Sequence, residues 1–169
     1  MADTRLRILC IGNLLHGNDS VGYRVYSALC RASLPGSVDL IDGGTGGLTL
    51  LPLFKGVPQV LLVDCVKSTA PEGSVALYPD IGRGWPADYA DNALHGGSMA
   101  TLLAMLPVYI KTPPRVDLLC VSARSLEHFS VRTDFDAGEV VDALCARVLD
   151  YVSALNTQTT EQTKKEKTS

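Results

Sequence analysis

The sequence predicts an α/β fold: a three-layer αβα sandwich around a five-stranded, mostly parallel mixed sheet. Three observations predict it. Short apolar runs alternate along the chain with segments of helical period. Glycine-containing turns follow the first two runs, as strand ends require. Only residues 65–73 separate the third and fourth runs. A parallel crossover needs roughly a dozen residues or more, so that pair is expected to be antiparallel.

Each element has its own signal. Arg5–Ile11 is a basic start with an apolar run that stops at Gly12-Asn13, and no small-residue cleavage pattern follows. It reads as a first strand and not as a leader. Asp19–Ala32 places Val21, Val25, Ala28, Leu29 and Ala32 on one helical face, with Asp19 at the start where it can cap. Ser37–Ile41 is a second strand, and Asp42–Gly47 a glycine-rich turn. Leu48–Phe54 is a short helix, Val60–Val63 a third strand and Ser74–Tyr78 a fourth, after the turn Ala70-Pro71-Glu72-Gly73. Residues 79–92, with Pro79, Gly82, Gly84 and Pro86, form a long loop. Ser98–Leu106 is helical and Val116–Val121 is a fifth strand. Gly138–Leu155 is a final helix with Val141, Leu144, Val148, Val152 and Leu155 along one face.

The 169 residues fit one domain, expected over residues 1–156, with 157–169 a disordered polar tail. The net charge of -3 excludes a broad basic face, so no nucleic-acid partner is expected. Mean hydropathy is +0.16, yet no uncharged apolar run approaches the roughly 20 residues of a membrane span. The five Cys (10, 30, 65, 120 and 145) are odd in number and scattered. They read as free thiols in a reducing cytoplasm, not as a disulfide framework or a thiolate zinc site.

In open α/β sheets, ligands collect beyond the carboxyl ends of the parallel strands. Four polar side chains follow strands there: Asp19, Asp42, Asp64 and His95. Singly each reads as a cap or turn residue. Jointly, carboxylates and an imidazole at one sheet edge form a candidate divalent-metal site whose mixed oxygen and nitrogen donors suit nickel or zinc. Cys65 neighbours Asp64 but should point to the opposite face. The run Gly43-Gly44-Thr45-Gly46-Gly47 lacks G-x-G-x-x-G and the Lys-Ser/Thr of a P-loop, so it carries little nucleotide signal. It serves either turn geometry or close approach of an extended peptide, with Gly43, Gly44, Thr45 and Gly46 as the substrate-binding candidates. Gly22 costs about 1 kcal/mol in a helix relative to Ala, which implies packing against another backbone, such as the glycine loop.

These residues together resemble the hydrogenase maturation endopeptidases. The opening Gly12-Asn13-Leu14-Leu15-His16-Gly17-Asn18-Asp19-Ser20-Val21-Gly22 is similar to the family's Gly-Asn-x-Leu, two acidic residues and Val-Gly. Asp42-Gly43-Gly44-Thr45 is similar to its Asp-Gly-Gly-Thr turn, Val63-Asp64 to its strand-end Val-Asp, and Leu94-His95 to its Leu-His. The match spans about residues 6 to 125. The resemblance implies an αβα fold and an endopeptidase that clips a C-terminal extension from a nickel-iron hydrogenase large-subunit precursor after nickel insertion. It implies Asp19, Asp64 and His95 as metal contacts, the metal being nickel supplied by the substrate, and it implicates Asp42 in processing. Asp19 or Asp64 would act as general base for water attack. No organic cofactor is expected, and a monomer is the default.

Two departures stand out. Asn18 occupies a position that is acidic in the family, and Ser122-Ala123-Arg124-Ser125 lacks the proline found there. Asn18 keeps a second reading open: a non-catalytic binder that checks nickel loading without cutting. A small nucleotide-binding protein is a third reading and rests on the glycine turn alone.

Overall fold

Strand β1 (Leu6–Ile11) sends Leu6, Ile8 and Cys10 to one face of the sheet and Leu9 and Ile11 to the other, and all five are buried. A strand covered on both faces reads as a continuous apolar run, which is how this one reads. The computed structural model describes residues 4–84, 97–124, 126 and 133–166. Within them β1 is joined by β2 (Val38–Gly44), β3 (Gln59–Lys67), β4 (Val75–Tyr78) and β5 (Arg115–Ala123). The sheet order is β2-β1-β3-β5-β4. The first four in that order are parallel, and β4 is antiparallel to β5 at the edge.

Helices α1 (Val21–Leu29) and α3 (Ala137–Glu166) cover one face, and α2 (Gly97–Tyr109) covers the other. On α1, Val21, Val25 and Leu29 are spaced by four and buried; on α3, Val140, Leu144, Val148 and Val152 repeat the same spacing. Met99, Leu102, Leu103 and Leu106 of α2 pack with Leu50 and Phe54 of a 3-10 segment, Leu48–Phe54. Each such fully buried side chain contributes about 1.5–3 kcal/mol against the ordering entropy. The result is the expected three-layer α/β sandwich with a mixed five-stranded sheet.

The structure corrects several local expectations. β4 does not pair with β3: Val75 lies opposite Val121 and Tyr78 opposite Leu118 on β5. Its direction opposes β3, as the short connection demands, but β5 is inserted between them. β5 is buried along nearly all its length and takes an interior place, whereas the half-exposed β4 suits an edge. The first helix is shorter than expected, because Asn18–Ser20 forms a 3-10 turn and α1 starts at Val21. The Leu48–Phe54 helix is 3-10 with Pro52 inside it, where the missing N–H disfavours an α-helix. The residues from Thr157, expected as a disordered tail, continue α3 through Glu166. The apolar face ends near Val152 and Leu155, but Gln, Glu and Lys are good helix formers and carry the turns onward. Among the described residues no helix is long and apolar enough to cross a membrane.

Candidate active site at the carboxyl end of the parallel strands

The pairing of β1 with β3 stops at Cys10–Val63, while β3 continues beside β5 to Lys67. Asp64 is the first residue past that stop. It has Cys120 of β5 on one side. On the side that β1 vacates, the loop after β1 folds in, and its Asn18–Ser20 turn packs against β3. This is how Asp19 and Asp64, 45 positions apart in sequence, come near enough for the Asp19 charge to act on Asp64.

Two glycines let the loop close this tightly. A Cβ on Gly12 would lie 2.1 Å from the Asp19 carbonyl oxygen, and one on Gly22 would lie 1.8 Å from the Ile11 carbonyl oxygen. The close backbone partner expected for Gly22 therefore exists, but it is the end of β1 and not the glycine loop. Asp19 is not a helix cap either. Ser20 holds the cap position of α1 with no side-chain cap bond. The Asp19 Oδ2 instead accepts the backbone N–H of Asn13 at 3.0 Å, and that same N–H also meets the Asp19 carbonyl at 3.0 Å.

Burial raises the Asp64 carboxyl well above the usual carboxylate range, the neighbouring Asp19 charge raises it further, and only the Cys65 backbone N–H opposes the shift. That N–H donates to Asp64 Oδ1 at 2.7 Å. Asp64 is thus half-buried, protonated more readily than an ordinary Asp, and set beside a second acid. Repulsion between neighbouring carboxylates is relieved by a proton or a cation. Cys65 projects into the α1–α3 face, opposite to Asp64, as strand alternation requires. Burial raises its thiol, and the charges of Asp64, Asp19, Cys120 and Asp134 add to this, so it stays protonated and is unsuited as ligand or nucleophile.

Asp42 lies at the same sheet edge but does not join the pair. It sits opposite Cys10 in the register, on the α1 side of the sheet. Burial raises the Cys10 thiol, and the charges of Cys145 and Asp42 add to it. The Asp42 Oδ1 accepts the Gly44 N–H at 2.9 Å, and β2 runs on through Gly44, so Asp42 is inside the strand end and not the first residue of a free turn. Gly44, Gly46 and Gly47 have φ of 55°, 74° and 89°, which only glycine adopts readily, so turn geometry accounts for these three. Gly43 instead answers to space: a Cβ there would meet the Cys10 carbonyl oxygen and Ile11 Cγ1, each at 3.2 Å. Thr45 is exposed. The Gly12 N–H donates to the Gly44 carbonyl at 2.8 Å and joins the glycine turn to the Asp19 loop.

His95 lies outside the described residues. Among those described, no group of three or more His, Cys, Asp or Glu side chains is placed to hold a metal ion.

Sequence reasoning missed one acid. Asp134, just ahead of α3, has its carboxylate Oδ2 at 2.6 Å from Asn18 Nδ2, and its backbone N–H donates to Asn18 Oδ1 at 2.8 Å. The local signal was Asp134 and Asp136 before a helix, which reads as capping. Asp136 does cap α3, accepting the Gly138 and Glu139 N–H groups, and so conceals the different task of Asp134.

Comparison with known proteins places the chain in a family. The HycI family, described as hydrogenase maturation protease, matches residues 23–151. That span takes in Asp42, Asp64 and His95 and begins just after Asp19. The hydrogenase 2 maturation protease of Escherichia coli strain K12 is 30% identical over 127 residues, covering 73% of this chain and 76% of that protein. Among solved structures, the hydrogenase maturating endopeptidase HybD from E. coli superposes with a TM-score of 0.71 at 23% identity, covering 89% of this chain and 93% of that one. The hydrogenase 2 maturation peptidase from Thaumarchaeota archaeon SCGC_AB-539-E09 gives 0.64 at 28% identity, over 88% and 97% of the two chains. With the family matched over most of its length and the fold shared with these proteases, the chain belongs to the hydrogenase maturation proteases.

Proposed function

We propose that this protein is an endopeptidase that removes the C-terminal extension of a nickel-iron hydrogenase large-subunit precursor, and that it acts once the precursor carries its nickel. The observation that carries this reading is the crowded Asp19–Asp64 pair at the carboxyl end of the parallel strands, with Asp64 raised by burial and by its neighbour. The donor set fits a divalent cation, since positive charge relieves two crowded carboxylates. Asp19 and Asp64, with His95, would meet the nickel held by the substrate. Asp64, whose carboxyl is shifted toward neutrality, is the better suited of the two acids to take a proton from the attacking water. Asp19, fixed by the Asn13 N–H, would hold the charge that faces the metal. The open backbone around Gly43, Gly44, Thr45 and Gly46 would receive the extended segment beside the scissile bond, and Asp42 would act at that rim and not in the pair.

The test is to incubate the pure protein with a nickel-loaded precursor and with its nickel-free form, and to weigh the products by mass spectrometry. Loss of a defined C-terminal peptide from the loaded form alone is the expected result. Cutting of both forms would retain the protease and discard nickel as its gate. Binding without cutting would favour the checker that inspects nickel loading.

A further inference from the structure

We propose that Asn18 and Asp134 form a clasp that positions the Asp19 loop for cleavage; the proposal rests on Asp19 and Asp64 being the reacting pair. Asn18 is buried, 7% exposed, although it lies in a loop. Its amide makes two bonds with one residue 116 positions away: Nδ2 donates to the Asp134 carboxylate and Oδ1 accepts the Asp134 N–H. A short side chain that donates and accepts at once is needed here, and the amide supplies both. A carboxylate at position 18 would still accept the N–H but would face the Asp134 carboxylate at contact distance.

The two halves of the clasp differ in how they are held. Asp134 sits at the foot of α3 beside Phe135, which packs against the α1–α3 core. Thr133 Oγ1 donates to the Phe135 carbonyl at 2.7 Å, Asp136 caps α3, and Phe135 Cβ lies 3.2 Å from where a Gly73 side chain would begin. The Asp19 loop is shaped largely by local bonds: Leu15 N–H to Asn13 Oδ1 at 3.0 Å, His16 N–H to the Asn13 carbonyl at 2.9 Å, and Ser20 N–H to the His16 carbonyl at 2.7 Å. Such bonds set the loop's form, its Asn18–Ser20 turn rests on β3, and the Asn18 side chain ties that turn across to Asp134. Its crest, Leu14 and Leu15, is 54% and 74% exposed. Asn18 is the residue next to Asp19, so its tie to Asp134 acts where position matters most. A misplacement of about 1 Å at a reacting group can cost roughly 100-fold in rate.

The experiment compares Asn18→Asp, Asp134→Asn and the double variant, which exchanges donor and acceptor and keeps the net charge. Two readouts are taken from each. The first is hydrogen exchange of the Asn13 amide, which donates to Asp19. The second is kcat and KM on nickel-loaded precursor, with a thermal melt to confirm folding. Asn18→Asp is expected to speed Asn13 exchange by about tenfold and to lower kcat by roughly 10- to 100-fold with KM little changed. Asp134→Asn exchanges a charge-assisted bond for a neutral one and should lose less. The double variant should recover most of both. Unchanged exchange at Asn13 in Asn18→Asp overturns the clasp, whatever the activity does. Faster exchange with full kcat overturns its role in cleavage. Faster exchange in a protein whose wild type cuts no precursor upholds the positioning and removes the maturation reading instead.

Discussion

The fold holds the Asp64 carboxyl at a cost that its surroundings explain. An ordinary Asp titrates near about 3.9. In the fold, burial and then Asp19 hold Asp64 well above that range. The folded state therefore keeps a proton that the unfolded chain releases. Stability from this group is full at low pH and falls as pH rises from the ordinary value toward the folded one. At neutral pH the charged form is a cost. Asp64→Asn is expected to melt higher than wild type at pH 7, while peptide release is abolished. A variant that melts lower than wild type at pH 7 would contradict the crowding argument. Asp64 as the acid closing the apolar run was legible in the sequence; that β3 continues past it to Lys67, so that it lies inside the strand and not after it, was not. Its grouping with Asp19 came only from the family resemblance, because nothing local says which loop refills the space where β1 stops pairing with β3.

Packing of elements decides how that space is refilled. The end of β1 and the start of α1 touch backbone to backbone at Gly22. Gly22→Ala has no room, since the added carbon would sit 1.8 Å from the Ile11 carbonyl oxygen. We expect a loss of about 3 kcal/mol in urea unfolding and a matching loss of cleavage as the turn carrying Asp19 is pushed off β3. Unaltered stability would mean that α1 shifts freely. A second junction locks α3 to the far end of the sheet. Buried Asp117 on β5 accepts Arg115 Nε at 2.8 Å, the Asp80 N–H at 2.8 Å and the Tyr151 hydroxyl of α3 at 2.6 Å. Burial alone would raise this carboxyl, but the bonds from Arg115, Tyr151 and Asp80 outweigh it and hold it below the usual range. Its stabilisation is present above about pH 3.9 and is lost as pH falls through the folded value. Asp117→Ala should cost about 3 kcal/mol at neutral pH and flatten the fall of melting temperature below pH 4. A variant with the wild-type acid limb would show that the junction carries no linkage.

At the scale of the whole molecule, the two cores on either side of the sheet carry the fold, and the last part of α3 does not. The buried face of α3 ends at Val152. Removal of residues 157–169 should leave the melting temperature within about 1 °C and cleavage unchanged, as calorimetry and the precursor assay can show; a larger drop would mean that the polar turns contact the body. The order of strands and helices, the layers and the chemistry-bearing strand ends were legible because they follow from periodicity and turn residues, which are local properties. Asp19, Asp42 and Asp64 were each placed at the right edge by that logic. Which acids meet was legible through the family resemblance, which grouped Asp19 with Asp64 and set Asp42 apart, and not through any local pattern. Alternation sends Asp42 to one face of the sheet, while the early end of β1 brings Asp19 to Asp64. The edge place of β4 and the reach of Asn18 to Asp134 were likewise settled between distant segments. The elements and the candidate donors are written in short windows of the chain and could be read there. The pairings arise from strand register, the point where β1 leaves β3 and loop closure, which join residues that no local pattern relates.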